Sequence, residues 1–137
     1  MSNNHDGKCW KCLTELGSFY HMWWSCSKVK KFWINIHTVL QVILDIYFEF
    51  HPMYFLLGIC PDNLPKTARE FFFYATTAAR LLLSARWHQQ TIPDEDDWIE
   101  KMKQLQATVT LSRLLTPHSD SNAQHSWDAF QSFAGSR

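Results

Sequence analysis

Within its first 26 residues the chain carries Cys9, Cys12, His21 and Cys26 in the pattern Cys-x2-Cys-x8-His-x4-Cys. No other feature restricts the fold as much. A segment this short cannot bury a hydrophobic core of its own. Three thiols and one imidazole at this spacing are the donor set of a tetrahedral zinc site. The Cys-x2-Cys turn presents two sulfurs to one ion, and the longer loop returns His21 and Cys26 for the other two corners. With all four corners taken by protein, the site is structural rather than hydrolytic, and the ion supplies folding energy that the segment lacks. From the residues alone, two other readings stay open. One is a thioredoxin-like redox pair at Cys9 and Cys12, for which no βαβ context is visible; the other is a set of unligated buried thiols. Cys60 stands alone after an apolar run and reads as a small core filler. His5, His37, His51, His88, His118 and His125 show no ligand spacing.

Downstream of the quartet the apolar residues repeat at three- and four-residue intervals, the period of helices. Val29, Phe32, Trp33, Ile36, Val39, Leu40, Ile43, Leu44 and Tyr47 make one wide face, which predicts a helix capped by Ser27 and ended by His51-Pro52. Met53–Ile59 is a short apolar piece, followed by a turn at Pro61-Asp62-Asn63. A second long helix is predicted from about Pro65 to Gln90, with Ala75, Ala78 and Ala79 small enough to admit a close neighbour. Pro93-Asp94-Glu95-Asp96-Asp97 marks a third start, its acids set against the positive end of the helix dipole. That helix runs to Thr116-Pro117. Trp127, Phe130 and Phe133 form an aromatic strip in the tail. No alternating strand pattern of useful length is present. The expected fold is all-α: a small helical bundle with an N-terminal Cys-Cys-His-Cys zinc knuckle. Its expected parts are a flexible lead-in over residues 1–7, the knuckle over 8–26, a helical body over 27–116, and a polar linker with an aromatic tail docking on the helices over 117–137.

Composition narrows the function classes. Hydrophobic residues make up 46% of the chain and its net charge is zero, so the molecule is a globular body and not a general polyanion binder. The charge is nevertheless uneven. Residues 1–40 hold five lysines against Asp6 and Glu15, whereas the middle of the chain is acidic. A polyanion contact is therefore expected near the N-terminus. The first twenty residues lack a signal-peptide apolar region, and Phe32–Phe50 is broken by polar residues, so no membrane segment is expected. The expected setting is intracellular and reducing, cytoplasmic or nuclear, where clustered cysteines hold metal.

The strings CWKC at Cys9–Cys12 and GSFYHMWWSCSKVKKFW at Gly17–Trp33 closely resemble the zinc-binding C-terminal region of LINE-type non-LTR retrotransposon reverse transcriptase proteins. FLLGI at Phe55–Ile59, YATTAARLLLSARW at Tyr74–Trp87 and IPDEDDW at Ile92–Trp98 follow in the order of that family, so the likeness runs from about Cys9 to Phe133. It implies a mainly helical, zinc-binding region of a transposable-element protein, one that contacts template RNA during target-primed reverse transcription. It also implies Cys9, Cys12, His21 and Cys26 as the zinc ligands, and Trp24 and Trp33 as packing residues beside them. The chain departs from the family pattern at Leu13, where glycine is common, and at Ser27, where proline is common. After Gln104 the sequence has drifted furthest. Polymerase and endonuclease motifs are absent, and Asp96-Asp97 belongs to a helix start. The chain is thus expected to be a non-enzymatic piece, truncated or host-derived, of a longer RNA-directed DNA polymerase.

The residues expected to meet nucleic acid are Lys8, Lys11, Lys28, Lys30 and Lys31, with Trp10 and Trp23. Phe19 and Tyr20 are further rings for unstacked bases. Lysines in the first turns of a helix oppose its dipole, and a bound anion relieves that opposition. The expected partner is single-stranded or structured RNA, or DNA, bound in a salt-sensitive and sequence-tolerant way. The competing reading is a protein-interaction or scaffold domain with a purely structural zinc, no RNA affinity, and apolar faces that pack on the rest of a parent protein or on a second copy. An enzyme in its own right is disfavoured, because no nucleophile with its base and no open metal site can be found.

Overall fold

The computed structural model describes residues 7–13, 17–115 and 124–136. Residues 1–6 of the expected lead-in over 1–7, and residues 117–123 of the expected linker and tail over 117–137, lie outside these. Among the described residues the fold is all-α, without strands, and the Cys/His quartet stands at its N-terminal end. A single π-helical turn, His21–Ser25, runs directly into α1 (Ser27–Leu44). Then come α2 (Pro52–Leu56), α3 (Lys66–Ala85), α4 (Glu95–Leu115) and α5 (Gln124–Gly135). Among the described residues no helix is long and apolar enough to cross a membrane.

The predicted first helix ends earlier than its apolar period. Asp45 takes a left-handed conformation (φ 55°) and stops α1 at Leu44, a role its short polar side chain tolerates. Residues 46–50 then leave helical geometry, and side chains of α1 take up both backbone groups of Phe48. The Phe48 amide donates to Gln41 Oε1 at 3.3 Å, and His37 Nε2 donates to the Phe48 carbonyl at 2.6 Å. The exit drops Phe48 into the core between His37 and Phe72, with ring centroids 4.7 and 5.7 Å away and both contacts edge-on. Tyr47, expected on the apolar face, is 77% exposed. Ser27 is likewise not the cap. Cys26 holds that position, and Ser27 is the first residue of the helix.

The core divides into two aromatic groups joined by α3. Trp24, Trp33, Phe50 and Phe55 pack between the π turn, α1 and α2, and the Trp33 indole donates to the Trp23 carbonyl at 2.7 Å. Phe71, Trp98, Trp127 and Phe130 fill the space between α3, α4 and α5. Ala75, Ala78 and Ala79 are fully buried, and the Trp98 indole of α4 reaches the Ala75 carbonyl at 3.1 Å. A larger side chain on this stripe would hold that ring away. The start of α4 is closed by a reciprocal pair: the Asp97 amide donates to Asp94 Oδ1 at 2.8 Å, and the Asp94 amide donates to Asp97 Oδ2 at 3.0 Å. This is the carboxylate version of a capping box.

Candidate metal centre

The donor atoms of Cys9, Cys12, His21 and Cys26 all lie within 4.8 Å of one another. A tetrahedral zinc site with ordinary bond lengths has edges of about 3.8 Å between sulfurs and about 3.6 Å between sulfur and nitrogen. Cys12 Sγ and His21 Nε2 are 3.4 Å apart, close to such an edge. The four residues thus fit one small cation held on all corners.

Each ligand is positioned by a local device. His21 and Cys26 are five residues apart, which on a regular α-helix would turn them about 140° away from each other. The π turn removes that mismatch. The Cys26 amide donates to the His21 carbonyl at 2.8 Å, a five-residue closure that brings both ligands to the same side. Wider turns of this kind gather at functional sites. The His21 amide donates to Ser18 Oγ at 3.2 Å, which fixes the entry. Ser25 Oγ stands 3.3 Å from His21 Nδ1. With Nε2 on a metal ion, Nδ1 would carry the proton and donate to Ser25, the outer support that ligating histidines normally have.

The other two ligands ride on a tight turn. The Lys11 amide points at Cys9 Sγ from 3.4 Å, and the Leu13 amide donates to the Cys9 carbonyl at 3.0 Å. Leu13 pays for this geometry with a left-handed backbone, φ 60°. Its side chain is nearly half exposed and so recovers only part of this by packing. Gly17 passes directly over the turn: a Cβ there would meet the Cys9 and Lys8 backbone at 3.2 Å. Relief of the strain at Leu13 is testable. Leu13→Gly is expected to raise the stability of the metal-loaded protein by about 0.5–1 kcal/mol, as the glycine's own unfolded-state entropy offsets part of the gain. An unchanged or lower urea midpoint would contradict this.

Burial pushes the Cys26 thiol up to about 11, against the pull of the Val29 and Lys28 amides at the start of α1. A free Cys26 is therefore a thiol at neutral pH, and a metal ion must displace its proton to bind.

The expected nucleic-acid residues separate into two sets. Lys28, Lys30 and Lys31 stand exposed on the first turns of α1, where no acidic residue opposes them, and Lys8 is exposed beside the turn. Phe19 and Tyr20 are more than half exposed. Lys11 does not join them. It is 1% exposed, and its ammonium donates to the Arg86 and Gln89 carbonyls at 2.5 and 2.6 Å. Desolvation lowers its proton affinity, partly restored by Cys9 and Cys26 nearby. An amine enclosed in this way cannot reach a phosphate. Trp10 and Trp23 are also engaged, packing on His88 at 5.1 Å and on Trp87 at 4.8 Å. The cause is shared: the second long helix stops at Ala85 rather than Gln90, and the turns that follow form the seat for the knuckle.

Sequence reasoning passed over Ser25, although its place four residues after His21 was a usable signal. No family model matches the chain, and no solved structure matches it.

Proposed function

We propose that this chain is a non-catalytic accessory module that holds one zinc ion and binds RNA, belonging to the LINE-type retrotransposon reverse transcriptases that its motifs resemble. The observation that carries the reading is the lysine cluster on the first turns of α1, which begins immediately after the last residue of the metal quartet. Those lysines sit at the positive end of a helix with no compensating acid in its first turn. A phosphate there gains both from the ammonium groups and from the helix dipole. Three sulfurs and one imidazole favour zinc over harder ions. The exposed rings of Phe19 and Tyr20 add surfaces on which bases can stack.

The test is a fluorescence anisotropy titration with single-stranded RNA at two salt concentrations. Binding is expected to weaken as salt rises. The double substitution Lys28→Glu/Lys31→Glu is expected to cost about tenfold or more in affinity and to flatten the salt dependence. Absence of binding, or binding indifferent to the two charge reversals, defeats the proposal.

A second reading has its own observation. Leu111, Leu114 and Leu115 near the end of α4 are all more than half exposed, an apolar surface of the kind used to bind protein. Self-association of the pure protein without RNA affinity would favour that reading.

A further inference from the structure

We propose that Lys11 is a positioning residue that ties the metal centre to the junction between α3 and α4, so that loading the ion orders residues 86–97. The inference rests on the quartet being a metal site, and it concerns what the ion does to a distant part of the chain.

The link is built from contacts of known length. Lys11 lies between two of the ligands, and its backbone amide is directed at Cys9 Sγ. The path of its side chain is therefore set by how the Cys-x2-Cys turn wraps the ion. The ammonium passes into the body and donates to the Arg86 and Gln89 carbonyls, 75 and 78 residues away in sequence. These are carbonyls of the turns just beyond the end of α3, and the Arg86 carbonyl also accepts the Gln89 amide at 3.0 Å. A cation there also answers the negative end of the helix dipole. Arg86 carries the link onward. Its guanidinium donates to the Ile92 carbonyl at 3.2 Å and to Asp97 Oδ2 at 3.0 Å. The same Asp97 oxygen accepts the Asp94 amide at the start of α4. The ligand turn, the end of α3 and the cap of α4 thus form one continuous set of polar contacts.

Charge reinforces the path. A divalent ion with three thiolates and a neutral imidazole has a net charge of −1. An ammonium enclosed beside it serves as its counter-charge, and Cys9 and Cys26 lie close enough to act on that ammonium. When the ion leaves, the turn loses the constraint that aims Lys11. The Gln89 carbonyl then loses the ammonium, and the Arg86 carbonyl keeps only the Gln89 amide. The backbone there is held otherwise by single turns, such as the Trp87 amide to the Ser84 carbonyl at 3.2 Å and the Gln89 amide to the Arg86 carbonyl at 3.0 Å, and the rings of Trp10 and Trp23 that pack on His88 and Trp87 come from the same metal-organised segment. Turns of this kind open readily when a tertiary anchor is removed.

The experiment is hydrogen exchange at the Trp87 and Gln89 amides, with metal content measured on the same samples. Wild-type protein is compared with and without chelator, and with Lys11→Met and Lys11→Arg in the metal-loaded state. Chelation is expected to speed exchange at these two amides by about tenfold or more. Lys11→Met, which keeps the apolar stem, is expected to retain the ion and yet show the same acceleration. Lys11→Arg is expected to restore much of the protection, because guanidinium can donate to both carbonyls. Equal protection in the wild type and Lys11→Met, with metal bound in both, overturns the coupling and leaves the metal centre standing. A wild-type protein that takes up no zinc overturns both. Should Lys11→Met fail to fold, the wild-type comparison decides: release of the ion with unchanged exchange at Trp87 and Gln89 overturns the proposal.

Discussion

Cys26→Ser is expected to abolish metal retention and to lower the melting temperature by about 10 °C or more. Cys26 is fully buried and serves three ends at once. Its sulfur is one corner of the quartet, its amide closes the π turn on His21, and its carbonyl accepts the first bond of α1 from Lys30 at 2.7 Å. Serine preserves both backbone roles, so the loss isolates the sulfur. Structural zinc supplies about 10–16 kcal/mol of apparent binding energy in small metal-organised peptides. Much of that would be lost as the knuckle separates from its seat on residues 86–90. Cys60→Ser is the matched control. Cys60 is outside the quartet and half-buried, and its loss is expected to leave one ion per chain. Metal analysis and thermal melts on the two variants test this directly. Retention of the ion by Cys26→Ser, or loss from Cys60→Ser, would overturn the assignment.

The pH range in which stability changes should depend on metal content. In the loaded protein, acid returns protons to the three sulfurs and the imidazole, so stability falls as pH falls. In chelator, burial of Cys26 acts in the other direction for as long as the thiol stays enclosed, and the buried Lys11, whose proton affinity is lowered, works against it. Its thiol is raised from 9.0 to about 11 in the folded state, so the unfolded chain gives up its proton first. That contribution is intact below pH 9.0 and is lost as pH rises towards about 11. Thermal melts should therefore show the ligand-linked loss at the acid end only in the loaded sample, and the Cys26-linked loss at the alkaline end in the chelated one.

What was legible in the sequence was whatever local chemistry decides. The quartet could be read because ligand types and spacing are local, and the start of α4 because Asp94 and Asp97 cap within one turn. The helical period located the buried faces of α1 and α3. What escaped depended on partners far along the chain. A lysine in a turn defaults to solvent, and nothing near Lys11 announces that carbonyls 75 and 78 residues away will enclose it. The end of α1 escaped for a related reason. The residues after Leu44 remain largely apolar, so periodicity continues on paper while the chain turns out at Asp45. Asp45 as a tolerated left-handed residue, with His37 and Gln41 ready to satisfy the departing strand, was the available signal. Leu13 shows the converse: an apolar, branched residue gives no local sign that its backbone is left-handed.

Trp98→Ala is expected to destabilise the protein by about 3–5 kcal/mol, a large share of the roughly 5–15 kcal/mol that holds a domain of this size together. Trp98 is fully buried at the meeting of three helices. Its ring meets Phe130 of α5 edge-on at 5.8 Å, and its indole donates to the Ala75 carbonyl on α3 at 3.1 Å. Truncation opens a cavity lined by rings that cannot collapse without moving α4 away from the alanine stripe. Trp98→Phe separates the parts of the effect. It keeps an aromatic body and removes the hydrogen bond, and should cost about 1–2 kcal/mol, clearly less than the alanine variant. Both variants should retain the ion, because Trp98 belongs to α4 and contributes nothing to the quartet. Urea unfolding at fixed metal content measures the difference through the midpoint. A loss below about 1 kcal/mol for Trp98→Ala would mean that the ring is not the keystone of the α3–α4–α5 contact. Equal losses for the two variants would mean that the indole N–H, rather than ring volume, sets the packing of α4 on α3.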